Sequence, residues 1–216
     1  MDFLIGRKVL AEKESQVNGK LTVVRDLAWG THIISGKITQ SGGVARTVWK
    51  TALKKVDRER PKVKSCLILG LGGGTIATLA KQLWPNIKIV GVDIDPVMIK
   101  LGQKYLDFDT ENVTIVIADA YHFCTDFKSE PHADDTYDLI CVDTYIGDEY
   151  PKKLENRKFV SSVCGKLAKG GIVCFNRLYY SEKRRGADQF EEQLRGVFSK
   201  VEPVRPEANI IYFCEA

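Results

Sequence analysis

Residues 66–95, CLILGLGGGTIATLAKQLWPNIKIVGVDID, constrain the fold more than any other part of the chain. An apolar run ends in Gly70, Gly72 and Gly74, an amphipathic segment follows, and a second apolar run ends at Asp93. Two buried strands separated by a helix need a crossover connection, which makes the strands parallel. The segment therefore predicts a βαβ unit with a glycine-rich loop at the carboxyl end of its first strand, where open α/β sheets bind ligands.

The alternation of strand and helix continues to the C-terminus. We expect strands at 65–70, 87–93, 113–118, 138–143 and 171–176. The apolar stripe in RKFVSSVCGKLAKGG predicts a helix that ends at Gly170 and Gly171. The last two strands, KVEPVR and NIIYFCEA, are separated only by PEA, which is too short for a crossover. The expected fold is α/β: a Rossmann-like seven-stranded, mostly parallel sheet with an antiparallel C-terminal strand.

The first 43 residues follow a different pattern, in which apolar and polar residues alternate. Asn18 and Gly19 separate two such runs, which is a strong hairpin signal. A helix is expected from Val44 to Val56. We therefore predict a small N-terminal antiparallel β unit plus helix at 1–60, and a Rossmann-like, ligand-binding domain at 61–216.

The composition excludes several classes of protein. No apolar run of the 216 residues approaches the roughly 18 needed for a membrane span, so we expect a cytoplasmic protein with no membrane partner. The six cysteines form no CxxC pair and the three histidines have no ligand spacing, which predicts reduced core thiols and no metal site. The basic segment 54–64 is expected to be solvated surface, so no nucleic-acid partner is expected.

Acidic residues follow the second and third strands. Asp93, 19 residues after Gly74, is placed to accept hydrogen bonds from ribose hydroxyls. Asp119 could accept a hydrogen bond from the exocyclic amine of adenine, with Ile94 and Ala120 in the same site. The alternatives are a plain strand-to-helix turn for the glycines and helix caps for the two acids.

Several stretches resemble a known family. LILGLGGGTIATLAKQLWPNIKIVGVDIDPVMIKLGQKYL, VTIVIADAYHF and YDLICVDTYIGDEYP are similar to the spermidine-synthase-like branch of class I S-adenosylmethionine-dependent transferases, which includes methyltransferases. The resemblance implies S-adenosylmethionine, or its decarboxylated form, as the cofactor. It places the three loop glycines at the methionine part, Asp93 at the ribose and Asp119 at the adenine. It also implies that Gln40 contacts the cofactor, and that Asp143 helps deprotonate an attacking amine.

Three groups that bind cationic substrates in aminopropyltransferases are absent. Where that family has GGGDGG, whose aspartate holds the aminopropyl ammonium, this chain has Gly73. The second aspartate of the family's D-S-x-D motif falls on Ile146, and its YHE motif falls on VWK at 48–50. Asp148 and the neighbouring Glu149 are candidates to replace these charges.

Three functions are therefore considered. The first is a methyltransferase of unknown acceptor, a small-molecule amine or a protein, in which Asp143 orients or deprotonates an amine and Tyr145, Asp148 and Tyr150 belong to a substrate loop at 143–155. The second is a polyamine aminopropyltransferase, and the third is a non-catalytic nucleoside-binding module. Trp49 is assigned to the core or to an interface, and the exposed N-terminal unit suits a homodimer.

Overall fold

The computed structural model describes residues 6–36, 38–126, 132 and 135–216. An antiparallel sheet forms the N-terminal unit, as predicted. Its four strands are hydrogen-bonded in chain order: β1 (Lys8–Ser15), β2 (Gly19–Asp26), β3 (Gly30–Ser35) and β4 (Ile38–Gly42). Gly19 opens β2 at a positive φ of 62°, which confirms the hairpin expected at Asn18 and Gly19.

A second sheet of seven strands forms the centre of the molecule. Its order is β10-β11-β9-β8-β5-β6-β7, and β11 runs antiparallel to both of its neighbours. The predicted fold class is thereby confirmed. The strands are β5 (Ser65–Leu69), β6 (Lys88–Asp93), β7 (Val113–Ile117), β8 (Tyr137–Val142), β9 (Leu167–Leu178), β10 (Lys200–Val204) and β11 (Asn209–Glu215).

Helices cover both faces of this sheet because successive strand residues point to opposite sides. Cys66 and Ile68 of β5 face a layer formed by the first three helices, and Leu67 and Leu69 face the last three. A short 3-10 turn at Lys152–Leu154 precedes the fifth helix. The helices are α1 (Gly43–Glu59), α2 (Thr75–Leu83), α3 (Pro96–Tyr105), α4 (Ala120–Thr125), α5 (Arg157–Gly165) and α6 (Lys183–Arg195).

The expected end of the fifth helix was wrong. α5 ends at Gly165, and Leu167 already pairs with Tyr137 of β8. Gly170 and Gly171 lie inside β9, where the register with β8 shifts and Gly170 has a φ of 77°. Glycines are permissive at such a bulge, so this pair bends a strand instead of ending a helix.

Several predictions concern features outside the central cavity. The six cysteines are all unpaired, and all except the half-buried Cys164 are buried. Over the described ranges, no helix has the length and apolarity needed to cross a membrane, and no cluster of three or more potential metal ligands occurs. The division at residue 60 stays a prediction, although α1 packs against α2 and the large sheet.

Asp95 joins the two sheets. One carboxylate oxygen caps α3 by accepting the N–H groups of Val97 and Met98. The other oxygen accepts the Ser15 hydroxyl at 2.5 Å and the Asn18 side-chain amide at 2.7 Å. Because Asp95 is only 1% exposed, these groups hold the β1–β2 hairpin on the end of β6.

Replacing Asp95 by Ala is expected to lower the free energy of unfolding by about 3 kcal/mol. The change removes a helix cap, worth about 1 kcal/mol, and leaves buried donors without an acceptor at about 1–3 kcal/mol. Urea denaturation measures the difference. Lys20→Ala, which removes an exposed ion pair with Glu12, is the control and should change little. Equal stability of the Asp95 variant and the wild type would contradict this account.

Candidate active site

A cavity of about 430 Å³ opens at the carboxyl ends of β5, β6 and β8. Its size lies within the usual range for small-molecule sites. The N-terminal sheet supplies one wall through Asn18 and β4, and α1 supplies another through Val48 and Trp49. The site is therefore formed by both structural units, and it lies where parallel sheets bind ligands.

The glycine loop brings two strand ends into contact. A Cβ on Gly70 would lie 2.2 Å from the backbone oxygen of Asp143, so β5 and the segment after β8 approach too closely for any side chain. Gly70 and Gly72 line the cavity. Gly74 instead lies against the ring of Phe108, where a Cβ would be 2.1 Å from the ring, so it tightens the turn into α2 and is not part of the cavity wall.

Asp93 follows this loop and lines the cavity beside Ile94. One carboxylate oxygen accepts the N–H of Gly72 at 2.6 Å and the other accepts the N–H of Asp95 at 2.8 Å. Burial raises the pKa of the Asp93 carboxyl, and the backbone hydrogen bonds oppose this shift. A carboxylate offers about four acceptor positions, so capacity remains for two further donors.

Asp119 is held from two directions. One oxygen caps α4 through the N–H groups of Tyr121 and His122, and the other accepts from Lys153 Nζ at 2.6 Å. Burial alone would raise the pKa of this carboxyl, but the hydrogen bond from Lys153 and the cap outweigh burial and hold that pKa below its usual range. The helix-cap alternative is therefore correct for Asp119, which also faces the cavity with Ala120.

Asp143 lies just beyond the end of β8 and faces the same cavity. Trp49 Nε1 donates to one carboxylate oxygen at 2.7 Å, and Asn176 Nδ2 donates to the other at 2.8 Å. The side-chain amide of Asn209 donates to the oxygen of Asn176 at 2.8 Å, which fixes the orientation of that amide. Burial raises the pKa of the Asp143 carboxyl, while the two donors favour its charged form.

The loop after β8 is attached to the rest of the site by hydrogen bonds. Gln40 lines the cavity. Its Nε2 donates to the carbonyl of Gly147 at 2.8 Å, so this amide is hydrogen-bonded to the loop. The Tyr145 hydroxyl accepts the N–H of Leu178 at 2.7 Å, and its ring also lines the cavity. Both side chains thereby fix the wall on the side of Asp143.

Two residues expected in the substrate loop do not line the cavity. Tyr150 is buried in the core with its ring beneath the Arg177 guanidinium at 4.1 Å. Asp148 is half exposed and pairs with Lys183 at 3.4 Å. Both residues lie in the loop, but packing and ion pairing direct their side chains away from the cavity.

Trp49, Asn176, Asn209 and Lys153 were not recognised as site residues from the sequence. Trp49 is 1% exposed, as expected for a core residue, yet its N–H is directed at Asp143. The signal available in the sequence was a polar residue, Asn176, inside the apolar run GIVCFNRL. A buried side-chain amide must be hydrogen-bonded, and a carboxylate at a neighbouring strand end is a natural partner.

Replacing Trp49 by Phe is expected to move the acid limb of the kcat/KM–pH profile to higher pH. The change removes a donor that favours the charged form, so the pKa of Asp143 rises further and the carboxylate is available only at higher pH. A hydrogen bond to a charged group contributes about 1.5–3 kcal/mol, so the acid limb should move by about one to two pH units. A uniform fall at every pH would instead indicate a purely structural effect.

The comparison with protein families gives one match over most of the chain. Residues 46–206 match the family described as Spermine/spermidine synthase domain. This chain belongs to that family. The match includes the glycine loop and the segment after β8, and it ends close to the turn between β10 and β11.

The fold is also that of solved members. A crystal structure of spermidine synthase in complex with the transition state analogue AdoDATO superposes with a TM-score of 0.79 at 16% identity, covering 95% of this chain and 72% of that one. At this identity the similarity concerns the fold alone.

Curated relatives of known name differ in the group they transfer. A polyamine aminopropyltransferase of Vibrio vulnificus (strain CMCP6) is 29% identical over 117 residues, covering 54% of this chain and 38% of the relative. A putrescine N-methyltransferase 2 of Nicotiana attenuata is 32% identical over 143 residues, covering 63% and 36%. The chain thus spans less than half of the length of these relatives.

Proposed function

We propose that this protein is a transferase that alkylates an amine, with an adenosyl sulfonium compound as donor. The observation that carries the proposal is the Asp143 carboxylate, held by Trp49 and Asn176 at the edge of a cavity whose opposite end presents Asp93. An amine becomes a nucleophile only when it is neutral, so a carboxylate beside it is the group the reaction requires.

The residues at the other end of the cavity fit an adenosyl group. Asp93 has acceptor capacity for two ribose hydroxyls after its two backbone hydrogen bonds. Ile94, 43% exposed, and Ala120 provide apolar surface for a base. Asp119 is available to an exocyclic amine only on the oxygen that Lys153 also contacts. We assign these residues, with Gly70 and Gly72, to the donor.

The chemistry follows from the charges of the site. The donor, when bound, supplies an alkyl group on a positively charged sulfur, which is a good leaving group. Asp143 accepts the proton of the acceptor nitrogen, and Trp49 and Asn176 keep the carboxylate in place. Gln40 and Tyr145 fix the loop that closes the acceptor side. Positioning of this kind supplies much of the rate enhancement when the leaving group needs no protonation.

Aminopropyl transfer from decarboxylated S-adenosylmethionine is the form of this reaction that we place first. The family match and the aminopropyltransferase relative support it. The expectation from the sequence placed methyl transfer first, and the similarity findings favour the other order.

Methyl transfer from S-adenosylmethionine remains the second candidate, for a structural reason. The family's aspartate for the aminopropyl ammonium falls on Gly73. A Cβ there would lie 2.8 Å from Ser41 Oγ and 2.9 Å from Leu106 Cδ1, so an aspartate at this position would require both side chains to move. The methyltransferase relative acts, by its name, on putrescine, so an amine acceptor is common to both candidates.

The by-product distinguishes the candidates. Purified protein is incubated with an amine mixture and with each donor in turn, and the nucleoside released is identified by mass spectrometry. Methylthioadenosine from the decarboxylated donor indicates aminopropyl transfer, and S-adenosylhomocysteine from the other indicates methyl transfer. Tight donor binding without either product would support the non-catalytic module and contradict the proposal. The cytoplasmic location and the homodimer stay predictions.

A further inference from the structure

The carboxylates around the cavity are unevenly distributed. Among residues that the structure describes, those lining it are Asp93, Asp119 and Asp143. The first is hydrogen-bonded to the glycine loop, and the second is paired with Lys153, so both belong to the donor end. Asp143 is therefore the one described carboxylate that faces the acceptor end.

Lys183 pairs with Asp148 and Glu149, the two acids that could have supplied a second negative charge. Its Nζ lies 2.9 Å from a Glu149 carboxylate oxygen and 3.4 Å from an Asp148 carboxylate oxygen, and it also donates to the Asp148 carbonyl at 3.0 Å. The hydrogen bond with Glu149 raises the pKa of Lys183, so the lysine stays charged. Neither acid lines the cavity, and so neither compensates for the missing aspartates.

The acceptor end offers apolar surface around the single carboxylate. Val48, Leu178 and Ala208 line the cavity, and Leu178 pairs with Asn209, which follows Ala208. The amides of Asn176 and Asn209 also line it but are used in the chain of hydrogen bonds to Asp143. A second ammonium group on the acceptor would lie against this apolar wall without a counter-charge, which is unfavourable because it loses part of its hydration.

We infer that the acceptor is a primary amine with one positive charge and an apolar body, and that diamines are poor acceptors. This inference rests on the proposed function. Asp143 first accepts one proton from the ammonium, which leaves a neutral nitrogen with a lone pair. That nitrogen forms a new N–C bond as the C–S bond of the donor breaks. The electron pair of the C–S bond stays on sulfur, which becomes neutral, and the product nitrogen carries the positive charge. The alkyl chain of the amine lies against the apolar wall.

The test compares two acceptors of equal chain length with the wild-type protein. Initial rates are measured with n-butylamine and with 1,4-diaminobutane, using whichever donor gives turnover, and alkylated products are quantified by mass spectrometry. We expect kcat/KM to be at least about tenfold higher for n-butylamine. Equal or faster turnover of 1,4-diaminobutane would overturn the inference and leave the proposed function intact. Absence of product from both amines with both donors would overturn the inference and the proposed function together.

A designed carboxylate tests the electrostatic cause. Ala208 is exposed in the turn before β11 and lines the cavity, so Ala208→Asp adds a charge where a second ammonium would lie. Ala208→Asn is the control of the same shape without charge. The ratio of kcat/KM for 1,4-diaminobutane to that for n-butylamine should rise about tenfold in the aspartate variant relative to the asparagine variant. An unchanged ratio would contradict the electrostatic explanation.

Discussion

Replacement of Asp143 by Asn is expected to reduce kcat about a thousandfold while donor affinity changes by less than about threefold. A positioned general base contributes about 10²–10⁴ to a rate, and the amide cannot accept the proton of the acceptor nitrogen. The amide is close in shape to the carboxylate, but its NH₂ group cannot accept from either Trp49 or Asn176. One of these two donors therefore loses its acceptor, which adds to the loss of activity.

The measurement combines product formation at saturating donor with calorimetric titration of the donor. Asp138→Asn is the matched control, because Asp138 lies near the other end of β8 and accepts backbone N–H groups from Lys64 and Ser65. That variant makes the same chemical change in the same strand, but away from the cavity, and its kcat should stay close to the wild-type value. Retention of more than about a tenth of kcat in the Asp143 variant would exclude the general-base role.

Replacement of Asp93 by Asn is expected to weaken donor binding about a hundredfold or more. Two hydrogen bonds from ribose hydroxyls to a carboxylate are lost or weakened, and a hydrogen bond to a charged group contributes about 1.5–3 kcal/mol. The new NH₂ group faces the backbone N–H of either Gly72 or Asp95 and cannot accept a hydrogen bond from it. The glycine loop therefore becomes less well ordered. The effect should appear mainly in the affinity for the donor and much less in kcat, because Asp93 takes no part in the transfer to the acceptor nitrogen.

Methylthioadenosine is a suitable probe because it carries the adenosyl group common to both candidate donors. Its Kd is measured by calorimetry for the wild type and for the Asp93 variant, with circular dichroism to verify folding. Asp109→Asn removes an exposed ion pair with Lys81 and serves as the surface control. Unchanged affinity in the Asp93 variant would show that the adenosyl group does not bind at the end of β6. That result would contradict the proposed function.

Local features of the chain predicted which strand ends meet at one side of the cavity. The loop glycines and Asp93 lie within one βαβ unit, so their proximity follows from the connection itself. The cap formed by Asp95 is a local feature as well, because Pro96 follows it at the first helical position. The position of Gly74 outside the cavity wall was not predictable, because its contact with Phe108 depends on how α2 packs against the segment after α3.

The surroundings of Asp143 depend on contacts between residues far apart in the chain. Trp49 is 94 residues from Asp143, and Asn209 is 33 residues from Asn176. Packing decides which face of a helix and which strand ends meet the cavity. The periodicity of a sequence cannot distinguish a tryptophan that only fills the core from one that also donates a hydrogen bond. The role of Lys183 likewise requires the three-dimensional position of α6 against the loop after β8.

The sequence by itself determined the α/β class, the reversed C-terminal strand and the order of glycines and acids at successive strand ends, because these follow from hydrophobic periodicity and connection length. Only the tertiary structure decided which carboxylates remain without a cationic partner. Ion pairing depends on the distance between side chains, so it was the folded chain that assigned Asp119 to Lys153, Asp148 and Glu149 to Lys183, and left Asp143 facing the cavity between two neutral donors.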